Sequence, residues 1–479
     1  MILSNRLKTL SLAAVVAGAA LLAGCNDTLR QFIVPVPKPG GNPAPNSNAV
    51  ILSTNPTGFG SDLHIDVSGD TIVGIVSVGT NPVFLGKTPS RAFVINGDNT
   101  VSSYIALLPL SSQVNTVTMP VTSVDLVAGG TSSGGNFYTT DMGSNDSSMI
   151  SSAVLAVTQI VPVGTGPVAI AGNAANSKMY VINQGSNNVT VVSTTDNTVT
   201  STIPVGAQPI WGVMSADGVD VFVVNQGDGT VSVIDTTLDI VIAIIPVGPS
   251  PNFAFYDPNR ERVYVTNTGN NTVSVIKADG INLGVTPQIL PVLLKNITVS
   301  GTPISVAAVN DGSKAYVALG NCPAGTNQLN LLANLASCNG NLLSVIDAQA
   351  LLETKTITVG AGAVSVDVAG DASRAYVVSA HDTTTISDNV HAPNCTANCL
   401  PGTPLPNRTF STPSVYIIQP STDNIVTSPR DPSIVSRPIP SFFAPQQDLN
   451  CMATIDPNFN SIVPMPCAIQ TSFMVRVFP

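Results

Sequence analysis

The chain has 479 residues, of which 10% are charged and 5% aromatic, with 38 glycines, 37 prolines and a formal net charge of −10. Val, Ile, Ser, Thr and Asn abound between the glycines and prolines, a mixture that suits many short strands joined by tight turns and argues against long helices. No cluster of Lys and Arg is present to neutralise phosphates, so nucleic acid is not an expected partner.

The N-terminus reads as an export signal over residues 1–24, with Arg6 and Lys8 before an apolar stretch from Leu10 to Leu22. That stretch is too short to span a bilayer. Leu22-Ala23-Gly24-Cys25 resembles the lipobox of bacterial lipoproteins, which implies lipidation of Cys25 and anchoring in the cell envelope. By the same resemblance, Asn26 after the cysteine implies sorting to the outer membrane, with the face left open. Two or more acyl chains make such an anchor effectively permanent, at about 0.8 kcal/mol per buried methylene. Residues 25–50 are rich in Pro and Gly and read as an extended spacer, able to reach about 60–70 Å at about 3.1 Å per residue.

Residues 51–479 carry a repeat. The stretches from Met179 (MYVINQGSNNVTVVST), Val221 (VFVVNQGDGTVSVIDT) and Val263 (VYVTNTGNNTVSVI) each run from an aromatic-centred apolar segment through an Asn-x-Gly turn to alternating Val, Ser and Thr. Their aromatics, Tyr180, Phe222 and Tyr264, fall 42 residues apart, and Phe93, Tyr138, Tyr316 and Tyr376 continue the series. A second phrase keeps the same period: Val163-Gly164, Val205-Gly206, Val247-Gly248 and Val359-Gly360 precede units, and Pro82, Pro167, Pro209 and Pro251 each lie three residues after such a glycine. Four short strands every 42 residues or so predict β-propeller blades, with strands a to d of the fourth unit near Ile210–Met214, Val221–Val224, Thr230–Ile234 and Ile240–Ile245. The turns Asn225-Gln226-Gly227 and Asn267-Thr268-Gly269 are expected to supply residues that tolerate positive φ.

Leu63 to Gly79 reads as strands c and d of a blade that lacks a and b. Ala453 onward resembles the a–b turn at Ala254, sharing Asp456-Pro457-Asn458 with Asp257-Pro258-Asn259, so the C-terminus is expected to supply the missing a–b hairpin. The count is then eight blades in an all-β fold, closed by strands from both ends. The alternative is seven, with the last 40 residues or so outside the ring.

The recurring YVTN-like strand and the V-G-x-x-P phrase resemble the YVTN-family β-propellers, similar to the YncE group and more distantly to lactonase-type propellers. The resemblance covers roughly residues 60 to 430 and implies a cell-surface or periplasmic binding protein, with seven blades usual in the family.

Leaving out Cys25, the cysteines form three local pairs in a chain expected to be exported, Cys322 with Cys338, Cys395 with Cys399 and Cys451 with Cys467, read as disulfides. The first two pairs lie in long insertions at 320–341 and 380–413, both between strands b and c and therefore on one face with the blade-to-blade loops. A stapled, loop-rich face on a rigid ring is where a protein or glycan partner is expected to bind. His381, His391, Cys395 and Cys399 have a spacing, H-x9-H-x3-C-x3-C, that would suit a tetrahedral metal, but an oxidising compartment favours a disulfide, and no metal or cofactor is assigned. Gly130-Thr131-Ser132-Ser133-Gly134 matches a nucleophile-elbow pattern by chance in a hairpin turn. Asp196, Asp235 and Asp347 are expected to cap c–d turns, and Trp211 to pack in strand a. The reading is a non-enzymatic binding or scaffold module with no catalytic residue assigned. Its alternative is a propeller enzyme, a lactonase-like hydrolase or an oxidoreductase subunit, with its site in the axial funnel.

Overall fold

A computed structural model describes residues 47–54, 59–88, 90–107, 113–131, 135–172, 176–278, 290–386, 408–426, 439–440 and 471–478. They form eight antiparallel sheets, each with four strands in radial order, that make a closed eight-bladed β-propeller; in blade 7 a fifth short strand, Ile439–Pro440, also pairs with the third strand. Blade 1 runs Pro82–Lys87, Arg91–Asn96, Thr100–Ile105 and Asn115–Thr118 from the axis outward, and blades 2 to 7 follow in chain order. The fourth blade has strands Pro209–Met214, Asp220–Asn225, Thr230–Asp235 and Ile240–Pro246, within a residue or two of the positions read from the repeat. Among the described residues, no helix is long and apolar enough to cross a membrane.

The eighth blade closes the ring differently from expectation. Phe59–Asp66 and Thr71–Thr80 are its strands c and d, as read, but strand b is Asn48–Thr54, just before them. The C-terminus supplies one strand, Thr471–Phe478, as the innermost strand a, pairing antiparallel with Asn48–Thr54 from Asn48↔Phe478 to Thr54↔Thr471. The expected C-terminal a–b hairpin is therefore replaced by a one-plus-three clasp, while the Asp456-Pro457-Asn458 segment lies outside the described residues. Asn48–Thr54 is buried at every position, without the alternation that marks a half-exposed strand, because blades 7 and 1 cover both its faces.

The aromatic series is the core of the ring: Phe93, Tyr138, Tyr180, Phe222, Tyr264, Tyr316 and Tyr376 all sit in strand b with 0–1% exposure. The tyrosines also reach sideways. Tyr180 Oη donates to Asp239 Oδ1 at 2.8 Å, Tyr316 Oη to Asp423 Oδ1 at 2.6 Å and Tyr138 Oη to Asn197 Oδ1 at 2.5 Å. Each acceptor is the left-handed residue that closes the c–d turn of the next blade, with φ of 54°, 53° and 57° respectively. Lys178 and Lys314 join the first two at 2.8 Å. Where the turn residue is Leu155 the partner series has Phe93, and both belong to one apolar cluster. From blade 7 to blade 8 the same turn position, Asp70, takes Arg374 at 2.8 Å.

The second phrase has its own cause. The Asn that ends strand b turns inward: Asn225 Nδ2 donates to Thr230 Oγ1 at 3.0 Å and Ser232 Oγ at 2.9 Å, and Asn267 does the same to Thr272 and Ser274. The glycine of the preceding V-G phrase packs on that amide: a Cβ on Gly206 would stand 2.6 Å from Asn225 Nδ2, and one on Gly248 2.7 Å from Asn267 Cγ. The two phrases recur together because they touch.

The turn expectation needs correction. Positive φ falls two residues later, at Asn187, Gly229 and Asn271, and not at the middle glycines. Gly227 and Gly269 are demanded by close approach instead, since a Cβ would lie 3.0 Å from Ala207 O and 2.8 Å from Pro249 O, the carbonyls that accept their N–H groups. Asp235 and Asp347 cap their c–d turns through backbone N–H groups, and Asp196 accepts from Thr198 Oγ1.

The blade-to-blade tyrosine contact predicts a graded stability series. Asp239→Ala removes an acceptor shared by the Tyr180 hydroxyl and the Lys178 ammonium, leaving both only the Thr236 carbonyl, and is expected to lower unfolding free energy by about 1–2 kcal/mol. The double variant Tyr180→Phe/Asp239→Leu, which copies the Phe93 and Leu155 arrangement, should lose less than the sum of its single changes in a denaturant titration.

Candidate functional site

Two concave regions lie at opposite ends of the ring. On the face of the b–c and d–a loops, a cleft of about 610 Å³ is lined by Gln184 and Asn187 of the blade-3 b–c turn, Gln208 of the following d–a loop, Gln226 of the blade-4 b–c turn, and Asn327 and Asn330. The last two come from the insertion at 320–341 in blade 6. That insertion is stapled by a disulfide between Cys322 and Cys338. Closing a loop of this length contributes about 3 kcal/mol in the chain-entropy model.

The insertion folds back across the ring. Its short helix Leu331–Asn334 buries Leu331, and Leu335 just beyond is buried in the same apolar cluster as Ile304 and Val364 of the innermost strands. Leu329 packs against the blade 3 and 4 cluster. Asn327 Nδ2 donates to Gln226 Oε1 at 2.9 Å, and the Gly325 N–H donates to Thr268 Oγ1 at 2.9 Å. His381, at the start of the other insertion, places Nε2 at 2.5 Å from the Leu335 carbonyl oxygen. These contacts bridge from blade 6 to blades 3, 4, 5 and 7, so the insertion crosses the loop-face mouth of the axis. Among the described residues the cleft it helps to form is lined by amides, Gly185 and Leu329, with no charged side chain.

At the other end, a cavity of about 550 Å³ occupies the axis toward the a–b turns. Its wall is apolar and aromatic on the side of blades 4 and 5: Trp211 packs on Phe253 with ring centroids 5.0 Å apart, and Phe255 and Tyr256 continue the surface. Lys87, Asp367 and Arg476 face it from blades 1, 7 and 8. Innermost strands have a free inner edge, and here neighbouring side chains take up its backbone groups. The Val475 and Val477 N–H groups donate to Ser365 Oγ at 3.2 Å and Asp367 Oδ2 at 2.8 Å, while Lys87 Nζ donates to the Val477 carbonyl. Trp211 Nε1 donates to Ala254 O at 3.1 Å. Burial holds the Lys87 ammonium below the usual lysine range, Asp367 drawing it back up and Arg476 pushing it further down. Although its ammonium is enclosed by the ring, the Lys87 side chain as a whole remains solvent-accessible.

Trp211 is in strand a, as read, but it looks into the axis. Cys25, His391, Cys395, Cys399, Cys451 and Cys467 lie outside the described residues, as do Ser132 to Gly134 of the nucleophile-elbow pattern. In blade 7, strands b and c run on as a ladder from Ser379↔Ser414 to Ile386↔Arg408, so both ends of the insertion at 380–413 are strand. Among the described residues, no group of three or more His, Cys, Asp or Glu is placed to hold a metal.

The third histidine lies at the seam between blades 8 and 1. His64 and Asp62, two residues apart in strand c of blade 8, are both fully buried. Tyr104 of blade 1 donates its hydroxyl to Asp62 Oδ2 at 2.6 Å and lies 3.1 Å from His64 Nε2. Burial pushes the Asp62 carboxyl up to about 7, against the Tyr104 hydrogen bond, and pushes His64 down to about 3.

No protein-family model matches the chain, and no curated protein sequence does. Among solved structures, the chain is similar to the dihydro-heme d1 dehydrogenase NirN in complex with DHE, with a TM-score of 0.58 and 11% identity over 84% of this chain and 75% of that one. A functionally unknown protein from Desulfotomaculum acetoxidans gives 0.49 and 12%, covering 65% and 95%. Hydrazine synthase from Kuenenia stuttgartiensis gives 0.46 and 17%, covering 62% and 92%. At these identities the likeness is one of fold, and the chain is a β-propeller protein.

The seam predicts opposed pH dependences. A raised Asp62 makes the folded state less favourable as pH rises from about 3.8 to about 7, while a lowered His64 makes it less favourable as pH falls from about 6.5 to about 3. Relative to the native protein, Asp62→Asn should therefore shift the dependence toward loss of stability on acidification through that window, and His64→Gln toward loss on raising the pH, against the background of the other buried carboxyls Asp141 and Asp220, which both variants keep. Denaturant midpoints of both variants and the native protein across the window check this, and slope changes of the same sign in the two variants would contradict it.

Proposed function

We propose that this chain is a lipid-anchored cell-envelope propeller of the YVTN, YncE-like kind that binds a glycan on its loop face and performs no chemistry there. The anchor rests on the lipobox-like Leu22-Ala23-Gly24-Cys25, with Asn26 favouring the outer membrane and residues 25–50 as the spacer. The Cys322–Cys338 disulfide fits an oxidising compartment.

The observation that carries the reading is the amide-lined cleft. Amide side chains offer both donors and acceptors, the pattern a polyhydroxylated ligand needs, and the absence of charge in the described lining avoids the desolvation cost of burying ions. The cleft is also held in shape: Asn187 Oδ1 accepts the Gln208 N–H at 2.8 Å, and Asn327 is tied to Gln226. Preorganisation of this kind reduces the ordering cost of binding. An axial-funnel enzyme, the alternative, would work with Asp367 as the one carboxylate of the described cavity lining.

A glycan array probed with the purified protein tests the reading. Gln184→Ala/Gln208→Ala, whose side chains face the cleft, should lower affinity for any bound glycan by roughly tenfold or more at unchanged thermal stability. Cys322→Ser/Cys338→Ser should weaken the same binding by loosening the insertion. An array without hits, or hits indifferent to both variants, would contradict the reading, and a Cys25→Ser protein that still fractionates with membranes would contradict the anchor.

A further inference from the structure

The axial cavity is separate from the loop-face cleft and opens toward the opposite end of the ring, and its composition is of another kind. Its charged lining consists of two cations, Lys87 and Arg476, and one acid, Asp367. Asp367 is the acid that acts on both basic groups, so among the described residues the lining holds two basic side chains to one acidic one. The guanidinium of Arg476 donates one of its N–H groups to the Val475 carbonyl at 3.1 Å, which uses one of the five donors an arginine carries. Facing this charge is an apolar wall with Trp211 and Phe253 as its centre.

A structural role alone does not account for the trio. Holding the inner edge of the C-terminal strand takes one donor for the Val477 carbonyl and one acceptor for its N–H, which Lys87 and Asp367 supply as a neutral pair. Arg476 then adds an enclosed charge that the fold must keep at a desolvation cost. A preformed cavity with an apolar wall and one convergent cation is the common form of a small-molecule site, and its volume is in the usual range.

We propose that the axial cavity binds a small organic carboxylate with a flat apolar body, its carboxylate pairing with Arg476 and its body lying against Trp211 and Phe253. Arginine suits the role because its planar fork meets a carboxylate through two parallel N–H bonds. The aromatic wall selects a flat ligand over a bare inorganic anion.

Trp211 is the only tryptophan in the chain, so its fluorescence reports on this cavity alone. Benzoate is the probe, added to the purified full-length protein, with benzyl alcohol and benzylamine as neutral and cationic counterparts. Benzoate should change the Trp211 emission saturably, and the counterparts should need much higher concentrations. Arg476→Gln should weaken the benzoate response by roughly tenfold or more, with partial recovery in Arg476→Lys. If Arg476→Gln melts early, Lys87→Gln, which removes the other cation, gives the same reading. Gln184→Ala/Gln208→Ala should leave the benzoate response unchanged, which separates this site from the loop-face cleft. No saturable response in the native protein, a benzyl alcohol response equal to that of benzoate, or an Arg476→Gln response equal to the native one would overturn the proposal.

Discussion

Ring closure is the constraint on which the rest of the structure depends. A single four-stranded blade has two apolar faces and cannot bury either alone, so each sheet is stable only between two others. The eighth blade is where this requirement meets the chain ends, and it is met by the ladder between Asn48–Thr54 and Thr471–Phe478. The clasp is reinforced at the axis by Ser365 and Asp367 from one neighbour and Lys87 from the other. It is reinforced near the rim by the Arg374 pair with Asp70 and at the seam by Tyr104 with Asp62. Asp367, Lys87 and the adjoining Arg476 also give the axial cavity its charge, so closure and cavity chemistry share residues.

Between blades the fold uses a small vocabulary. A tyrosine from strand b reaches the left-handed residue of the next c–d turn, and an asparagine at the end of strand b packs on the glycine before strand a. The tyrosine contact links neighbouring blades, while the asparagine ties each blade to the loop that leads into it, and this is why the phrases recur in phase. It also frees the b–c loops to vary: the blade-6 insertion adds a stapled segment that bridges four blades without altering the strands below it.

The blade repeat was legible in the sequence because strand burial repeats residue for residue, and the seven aromatics all proved to be core. The eighth blade was legible only in part. Asp456-Pro457-Asn458 copies a turn, and turn chemistry recurs wherever a chain reverses, so it misplaced the closing hairpin. Asn48–Thr54 follows a Pro-rich stretch and, buried on both sides, has no period-two signature to separate it from that stretch. The cleft was foreshadowed by the loop-face argument, but its amides come from four places in the chain. The axial trio had no local signal at all, since Lys87 and the Val477 carbonyl it holds lie 390 residues apart in sequence. Trp211 was placed in the right strand, but an alternating strand in a ring has one edge toward the axis, and pattern alone does not say which aromatic will line it.

Hydrogen exchange of the C-terminal strand measures the clasp directly. If Thr471–Phe478 is the innermost strand of the eighth blade and holds the ring closed, its paired amides should exchange as slowly as those of Val221–Val224 in the middle of blade 4. Exchange of the C-terminal amides at the rate of an unstructured peptide, with blade 4 still protected, would mean that the ring stands without this strand and would contradict the account.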